Sequence, residues 1–219
     1  MMSDYTGDVT SGGAPAVREL PGLTITKLSV GPMDNNAYLL RCAADGSQVL
    51  IDAANEADRL LDLIGPAGLT AVITTHRHGD HTAALAEVVR ATGAESVAHT
   101  DDAPEIPVVT RTVTDGETIA VGDCTLEVIH IVGHTPGSIT LAYRDPSGTA
   151  HLWTGDSLFP GGVGNTRGNK KNFASLIGDV ESKLFGRFPD DTWFYPGHGK
   201  DSTLGAERPA LPEWRARGW

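Results

Sequence analysis

The hexapeptide His76-Arg77-His78-Gly79-Asp80-His81 packs three imidazoles and a carboxylate into six positions, directly after the apolar run Leu69 to Thr75. Six consecutive residues cannot surround one ion and still leave a position open for substrate, so this cluster has to be completed from elsewhere in the chain. His134, Asp156 and His198 are available for that. Each stands where an apolar stretch gives out: His134 after Val128 to Val132, Asp156 after Leu152 to Gly155, and His198 after Phe194-Tyr195-Pro196-Gly197. His76 itself follows Ile73-Thr74-Thr75. Strand ends are rigid platforms with loops beyond them, so a fold that brings all four ends to one edge would gather five imidazoles and two carboxylates in one place. Such a set is too large for one four-coordinate ion and suits two.

The rest of the chain reads as the scaffold for that edge. Strand-like runs at Leu23 to Val30, Ala37 to Cys42 and Gln48 to Asp52, separated by Asp34-Asn35-Asn36 and Asp45-Gly46, predict an antiparallel meander. Ala57, Leu60, Leu61 and Ile64 stand at helical spacing over Asn55 to Ile64, and Gly65-Pro66 stops that helix. A strand over Leu69 to Thr75 leads into the hexapeptide, read as a loop, and then into a helix from Thr82 to Ala91 closed by Gly93. Ser96 to His99 predicts another strand before a stretch punctuated by Pro. Ile119 to Val121, Leu126 to Val132, Ile139 to Tyr143 and Ala150 to Trp153 then predict a second sheet, followed by a helix over Asn172 to Phe185 and a strand over Thr192 to Tyr195. This order implies an α/β (α+β) architecture of two packed sheets with helices outside each. With 219 residues, 40% of them hydrophobic, the expectation is one domain over residues 18–219 behind a loose polar tail over residues 1–17.

A formal charge of −11 with no basic run excludes a nucleic-acid partner. Cys42 and Cys124 lie in strand-like stretches, as buried thiols of a reducing compartment do. The N-terminal stretch lacks the pattern of a signal peptide, and no apolar segment approaches the roughly 18 to 20 residues of a membrane helix. The expectation is a soluble, cytoplasmic protein with a small-molecule substrate and no membrane or nucleic-acid partner. Its oligomeric state is left open.

Neutral imidazole with carboxylate suits zinc, iron or manganese, and the absence of cysteine from the set favours a catalytic over a structural site. Two divalent ions are expected, zinc first, with iron or manganese as alternatives. Coordination lowers the pKa of water from about 15.7 to about 7, so hydroxide would attack a carbonyl carbon with Asp80 orienting it. Singly, Asp80 could cap a helix, Asp156 could serve a turn and His198 could decorate a loop; their conjunction at strand ends is what points to metal. His99, His130 and His151 fall outside the pattern and read as packing or surface residues. Beyond Asp156, the Gly-rich loop Phe159 to Lys171 carries Asn165, Arg167 and Lys170. Either Arg167 or Lys170, with Asn165 beside them, binds a substrate carboxylate, or the loop is simply solvated.

The succession His-x-His-x-Asp-His, Gly133-His134, Gly155-Asp156 and Gly197-His198 resembles the metallo-β-lactamase superfamily. Asp34 to Leu39, Gly133 to Ser138, Gly155 to Phe159 and Pro196 to Gly199 are similar to its glyoxalase II branch, so the likeness runs from about the third strand to His198. The resemblance implies a four-layer αββα sandwich. It also implies that His76, His78 and His134 hold one metal, that Asp80, His81 and His198 hold a second, and that Asp156 bridges both. The implied activity is a thioesterase acting on acylated glutathione or another thiol. Branch members that bind glutathione add a helical domain after the last histidine, whereas 21 residues follow His198 here, so the leaving group stays unspecified. The reaction expected is hydrolysis of a carbonyl ester bond, thioester ahead of lactone or β-lactam. A mononuclear iron persulfide dioxygenase using His76, His134 and Asp156 is the competing reading, with a lactonase or β-lactamase-like hydrolase behind it.

Overall fold

Alternating apolar residues sort the start of the chain into a meander. In the computed structural model, which describes residues 5–218, β1 (Ala16–Leu20), β2 (Leu23–Val30), β3 (Asn35–Cys42) and β4 (Gln48–Ile51) pair antiparallel in chain order. β5 (Ala71–Ile73), β6 (Glu95–His99) and β7 (Arg111–Val113) then add parallel, giving seven strands in sequence order. Parallel neighbours need a crossover. α1 (Ala57–Ile64) supplies it between β4 and β5, and the single turn α2 (Gly79–Thr82) with α3 (Leu85–Thr92) supplies it between β5 and β6. Leu60 and Ile64 of α1 and Leu85 and Val88 of α3 are buried with Leu28, Leu39, Leu50 and Val72 on the outer face of this sheet.

The second sheet runs β8 (Thr118–Val121), β9 (Cys124–His130), β10 (Ile139–Arg144) and β11 (Ala150–Gly155), all antiparallel. A two-stranded ribbon, β12 (Leu158–Phe159) and β13 (Gly162–Val163), follows. α4 (Lys170–Asp179), begun by the Asn169 side chain accepting from the amides of Lys171 and Asn172, crosses the outer face and continues as a π turn over Val180–Phe185. The chain then returns as β14 (Trp193–Pro196), parallel to β11, with β15 (Ser202–Thr203) at the edge. α5 (Leu204–Glu207) and α6 (Leu211–Arg217) close the layer, and Trp214 of α6 is buried edge-on to Phe185. Truncating Trp214 to Ala would cost roughly 3–5 kcal/mol, as for large core aromatics generally.

Between the sheets, Ile25, Leu40, Ile51 and Ile73 meet Val128, Leu141, Trp153 and Tyr195. Both sheets are covered on both faces, which is why β4 and β11 are buried at every position. This is the four-layer αββα sandwich, of the α+β class.

The N-terminal segment differs from the expected loose tail. Met1–Asp4 lie outside the described residues, but Tyr5 donates a 2.6 Å hydrogen bond to Asp201 and packs edge-on to Trp193, and Ala16 and Val17 belong to β1. Lys27 is the physical cause. Its ammonium is fully buried, and a buried charge demands acceptors. It finds the Gly7 and Gly199 carbonyls at 2.8 Å and Asp201 at 2.7 Å, which ties the polar segment across the sheet edge. No helix among the described residues is long and apolar enough to cross a membrane.

Candidate metal centre

Seven side chains from four separate chain segments meet at one rim of the sandwich, beyond the ends of β5, β9, β11 and β14. His78 Nδ1 lies 3.0 Å from both His76 Nε2 and His134 Nε2. On the other side His81 Nε2 and His198 Nε2 are 3.2 Å apart, with Asp80 Oδ2 3.6 and 3.4 Å from them. Asp156 stands between the groups: Oδ1 is 3.3 Å from His81 Nε2, and Oδ2 is 3.5 Å from His134 Nε2 and 4.0 Å from His76 Nε2. Two nitrogens sharing a zinc ion at about 2.0–2.1 Å each are separated by roughly 3.3 Å, close to these spacings.

Each placement has a local cause. β5 aims His76 at the rim, and Thr75 Oγ1, 3.1 Å from His76 Nδ1, holds its outer nitrogen. The α2 turn, which replaces part of the expected loop, presents Asp80 and His81 side by side. Asp52, at the end of β4, is buried with a left-handed backbone (φ 57°). Its carboxylate accepts from Thr75 N (2.7 Å), from Thr75 Oγ1 (2.8 Å) and from the His81 ring at Nδ1 (2.8 Å). His134 Nδ1 lies 2.9 Å from the Asn165 carbonyl and His198 Nδ1 lies 3.0 Å from the Met33 carbonyl. Outer hydrogen bonds of this kind fix the tautomer that turns Nε2 inward. Gly197 must be glycine, because a Cβ there would collide with Asp156 Oδ1 and with His81.

Burial first, then the neighbouring imidazole charges, hold His76 well below its ordinary pKa; burial likewise lowers His78 and His134. All three therefore stay in the lone-pair form that a metal requires. Burial opposes protonation of His81 too, but Asp52 and Asp156 together outweigh it and raise the ring to about 10. The local field thus favours positive charge where Nε2 faces the centre. Burial pushes Asp80 and Asp156 up, yet the Asn35 hydrogen bond to one and the His81 contact to the other leave both below the usual carboxylate range. Asp156 Oδ1 is buried and has no hydrogen-bond partner among the described residues. An orphaned anionic oxygen among inward imidazole nitrogens fits a cation.

Sequence reasoning missed Asp52 and Asn35. Asp52 ends an apolar run as the others do, so the strand-end signal applied to it as well. Asn35 Nδ2 donates to Asp80 Oδ2 at 2.9 Å from a position that read as turn chemistry and as part of the glyoxalase II-like stretch Asp34 to Leu39, with no role of its own. Of the loop residues expected at the substrate, Asn165 and Arg167 line a cleft of about 320 Å³ with His78, Asp80, Asp156 and His198. An adjoining groove of about 710 Å³ is walled by Met33, Phe159 and Val163. Lys170 lines neither; it is exposed on the first turn of α4. His99 stacks on His130 with ring centroids 3.8 Å apart, and neither belongs to the set of seven.

The family model for the metallo-beta-lactamase superfamily matches residues 30–206, a span that contains every one of these side chains. The chain belongs to the metallo-beta-lactamase superfamily. Within it, the chain is 37% identical over 133 residues to a hydroxyacylglutathione hydrolase of Rhodospirillum rubrum, covering 60% of this chain and 50% of that one. It is 36% identical over 166 residues to a hydroxyacylglutathione hydrolase of Polaromonas sp., covering 75% and 62%. The chain therefore spans about half to three fifths of the length of these curated relatives. Among solved superfamily structures it is similar to ETHE1 from Myxococcus xanthus, with a TM-score of 0.77 and 28% identity over 88% of this chain and 84% of that one. TTHA1623, solved in a di-iron-bound form, matches with a TM-score of 0.67 and 32% identity over 83% and 96%.

Proposed function

We propose that this chain is a two-metal hydrolase that opens carbonyl ester bonds, thioesters ahead of lactones or β-lactams. The observation that carries the reading is Asp156, whose carboxylate reaches both groups of imidazoles: Oδ1 lies 3.3 Å from His81, and Oδ2 lies 3.5 Å from His134 and 3.6 Å from His198. His76, His78 and His134 would hold one ion, Asp80, His81 and His198 the other, and Asp156 both. Bound there, two divalent ions, zinc first and iron or manganese after it, would supply Lewis acidity toward a carbonyl oxygen and lower the pKa of water to about 7. The di-iron form of one relative supports the count of two, and the hydroxyacylglutathione hydrolases support the thioester.

The chain's own residues do the rest. Asp80 is held by Asn35 and kept anionic, so at neutral pH it can accept a hydrogen bond from the attacking water and aim its lone pair at the carbonyl carbon. Arg167 offers its guanidinium at the cleft for a substrate carboxylate. Met33, Phe159 and Val163 offer an apolar wall for an uncharged substituent and exclude water from that side. His76 and His81 are buried, so the geometry around Asp156 is set before substrate arrives.

The likeness to ETHE1 keeps the one-iron alternative, persulfide dioxygenation through His76, His134 and Asp156, as the reading to test against. Metal analysis of the purified protein with a thioester and lactone panel separates the two. Two metals per chain and turnover abolished by chelator are expected. One iron per chain with oxygen uptake on a persulfide would overturn hydrolysis.

A further inference from the structure

Asp102 touches none of the seven side chains at the rim, yet it holds the two loops that carry one group of them. It lies in the turn after β6 and is buried. Its Oδ2 accepts from the Arg77 amide at 3.0 Å and from Thr135 Oγ1 at 2.5 Å, and its Oδ1 accepts from the Gly137 amide at 2.8 Å. Arg77 sits between His76 and His78, and Thr135 follows His134. One carboxylate thus joins the main chain between two members of a trio to the main chain just past the third.

His78 makes this joint consequential. The other four imidazoles each have an outer nitrogen held by a neighbouring group, but His78 turns Nδ1 inward and its Nε2 has no hydrogen bond among the described residues. Its position must therefore come through its backbone, and the Arg77 amide bond to Asp102 is the fixed point immediately before it. The seat is tight: a Cβ on Gly137 would lie 2.5 Å from Asp102 N and 2.9 Å from its Cβ. A second strut, His130 Nε2 donating to the Pro136 carbonyl at 2.7 Å, holds the same loop. Hydrogen bonds to a buried carboxylate are about twice as strong as neutral ones, so three of them make a stiff joint.

We propose that Asp102 is a positioning residue for the His76, His78 and His134 trio, setting the reach of His78 toward His134 and hence the metal affinity of that trio alone. The inference rests on the proposed reading that this trio holds an ion. Asp102→Asn keeps one acceptor oxygen but turns an NH2 group toward an N–H donor at the other position and removes the charge, loosening the joint without changing its volume; Thr135→Val removes one bond only. Zinc affinity, read by chelator competition, is measured for both variants in two backgrounds: His198→Ala, which spares the trio, and His78→Ala, which spares the other group. In the His198→Ala background Asp102→Asn should weaken zinc binding roughly 10–100-fold, and Thr135→Val about threefold, while in the His78→Ala background neither should shift it more than about twofold. Equal losses in both backgrounds, or no loss where the trio is spared, would overturn the inference. Should Asp102→Asn fail to fold, Thr135→Val decides by the same criterion. A wild-type chain that binds no zinc, iron or manganese would remove the two-metal reading and this inference together; two bound ions with no selective effect would remove the inference alone.

Discussion

The two sheets reach the rim by different means. The first contributes one continuous stretch, residues 76 to 81, whose His81 ring is braced from behind by the buried carboxylate of Asp52, which binds Thr75 and His81 at once. The second contributes His134, Asp156 and His198 from three separate loops, and two of these lean on main-chain carbonyls, those of Asn165 and Met33. His81 is fully buried, whereas 23% of the His198 side chain is exposed. A buried charge fixes its partners in one arrangement, because any other leaves that charge unpaired. A carbonyl on a loop moves with the loop. The His81 ring is therefore pre-set and the His198 ring adjustable, and the Met33 contact is where the first sheet's β2–β3 turn stabilises a residue of the second.

Asp156 belongs to both halves, so its loss is the severest test of their union. Asp156→Ala should lower kcat/KM on a thioester by roughly a thousandfold and bring bound metal below one per chain. Activity within tenfold of wild type would mean that the halves do not share a centre. Asp52→Asn comes next. It removes an acceptor behind His81 and should cost roughly 10–100-fold in metal affinity, while Asn165→Ala, which keeps the carbonyl behind His134, should stay within about twofold. If the two variants behave alike, as measured by chelator competition, the contrast between charge and carbonyl bracing fails.

That contrast also marks what could be read from residues alone. Apolar runs ending in His76, His134, Asp156 and His198 are local patterns, and they located the rim and both sheets. The bracing is not local. Asp52 acts through a left-handed backbone and partners 23 and 29 residues away, and Asn165 acts through its main chain where its side chain had been considered. β1 escaped because a polar segment is drawn in by buried Lys27 and not by hydrophobicity. β7, β12, β13 and β15 are three residues or fewer, too short for any periodicity to register. The helix over Asn172 to Phe185 starts two residues earlier and widens to a π turn at Val180, a change of hydrogen bonding with no sequence marker.

Acid should separate the sheets in another way. His151 on β11 is buried, and burial together with the Arg18 charge lowers its pKa to about 4. The folded imidazole stays neutral while the unfolded one gains a proton below about 6.5, so the unfolded state binds more protons in that interval and stability falls as pH drops from 6.5 through about 4. By pH 5 the loss should reach about 2 kcal/mol, a factor of about thirty in the unfolding equilibrium. His151→Gln should flatten that part of the curve when urea unfolding is followed from pH 7 to 5. A curve parallel to wild type would show that the second sheet holds no acid-labile point at His151.

The smallest effect separates two cations on the second sheet's side. Arg167 adopts a left-handed backbone (φ 52°), its amide donates to Asn165 Oδ1 at 2.7 Å, and the residue lines the cleft. Its charge reaches far enough to contribute, after burial, to keeping His78 neutral. Lys170, three residues on, starts α4 in solvent. An exposed cation that meets a substrate carboxylate contributes uniform binding, so Arg167→Ala should raise KM for carboxylate-bearing thioesters about three- to tenfold with kcat unchanged. Lys170→Ala should change KM by less than about twofold, because a solvated charge outside the cleft is screened. Equal effects from the two would mean that the loop steers substrate by net charge, and the backbone turn that aims Arg167 would have no part in recognition.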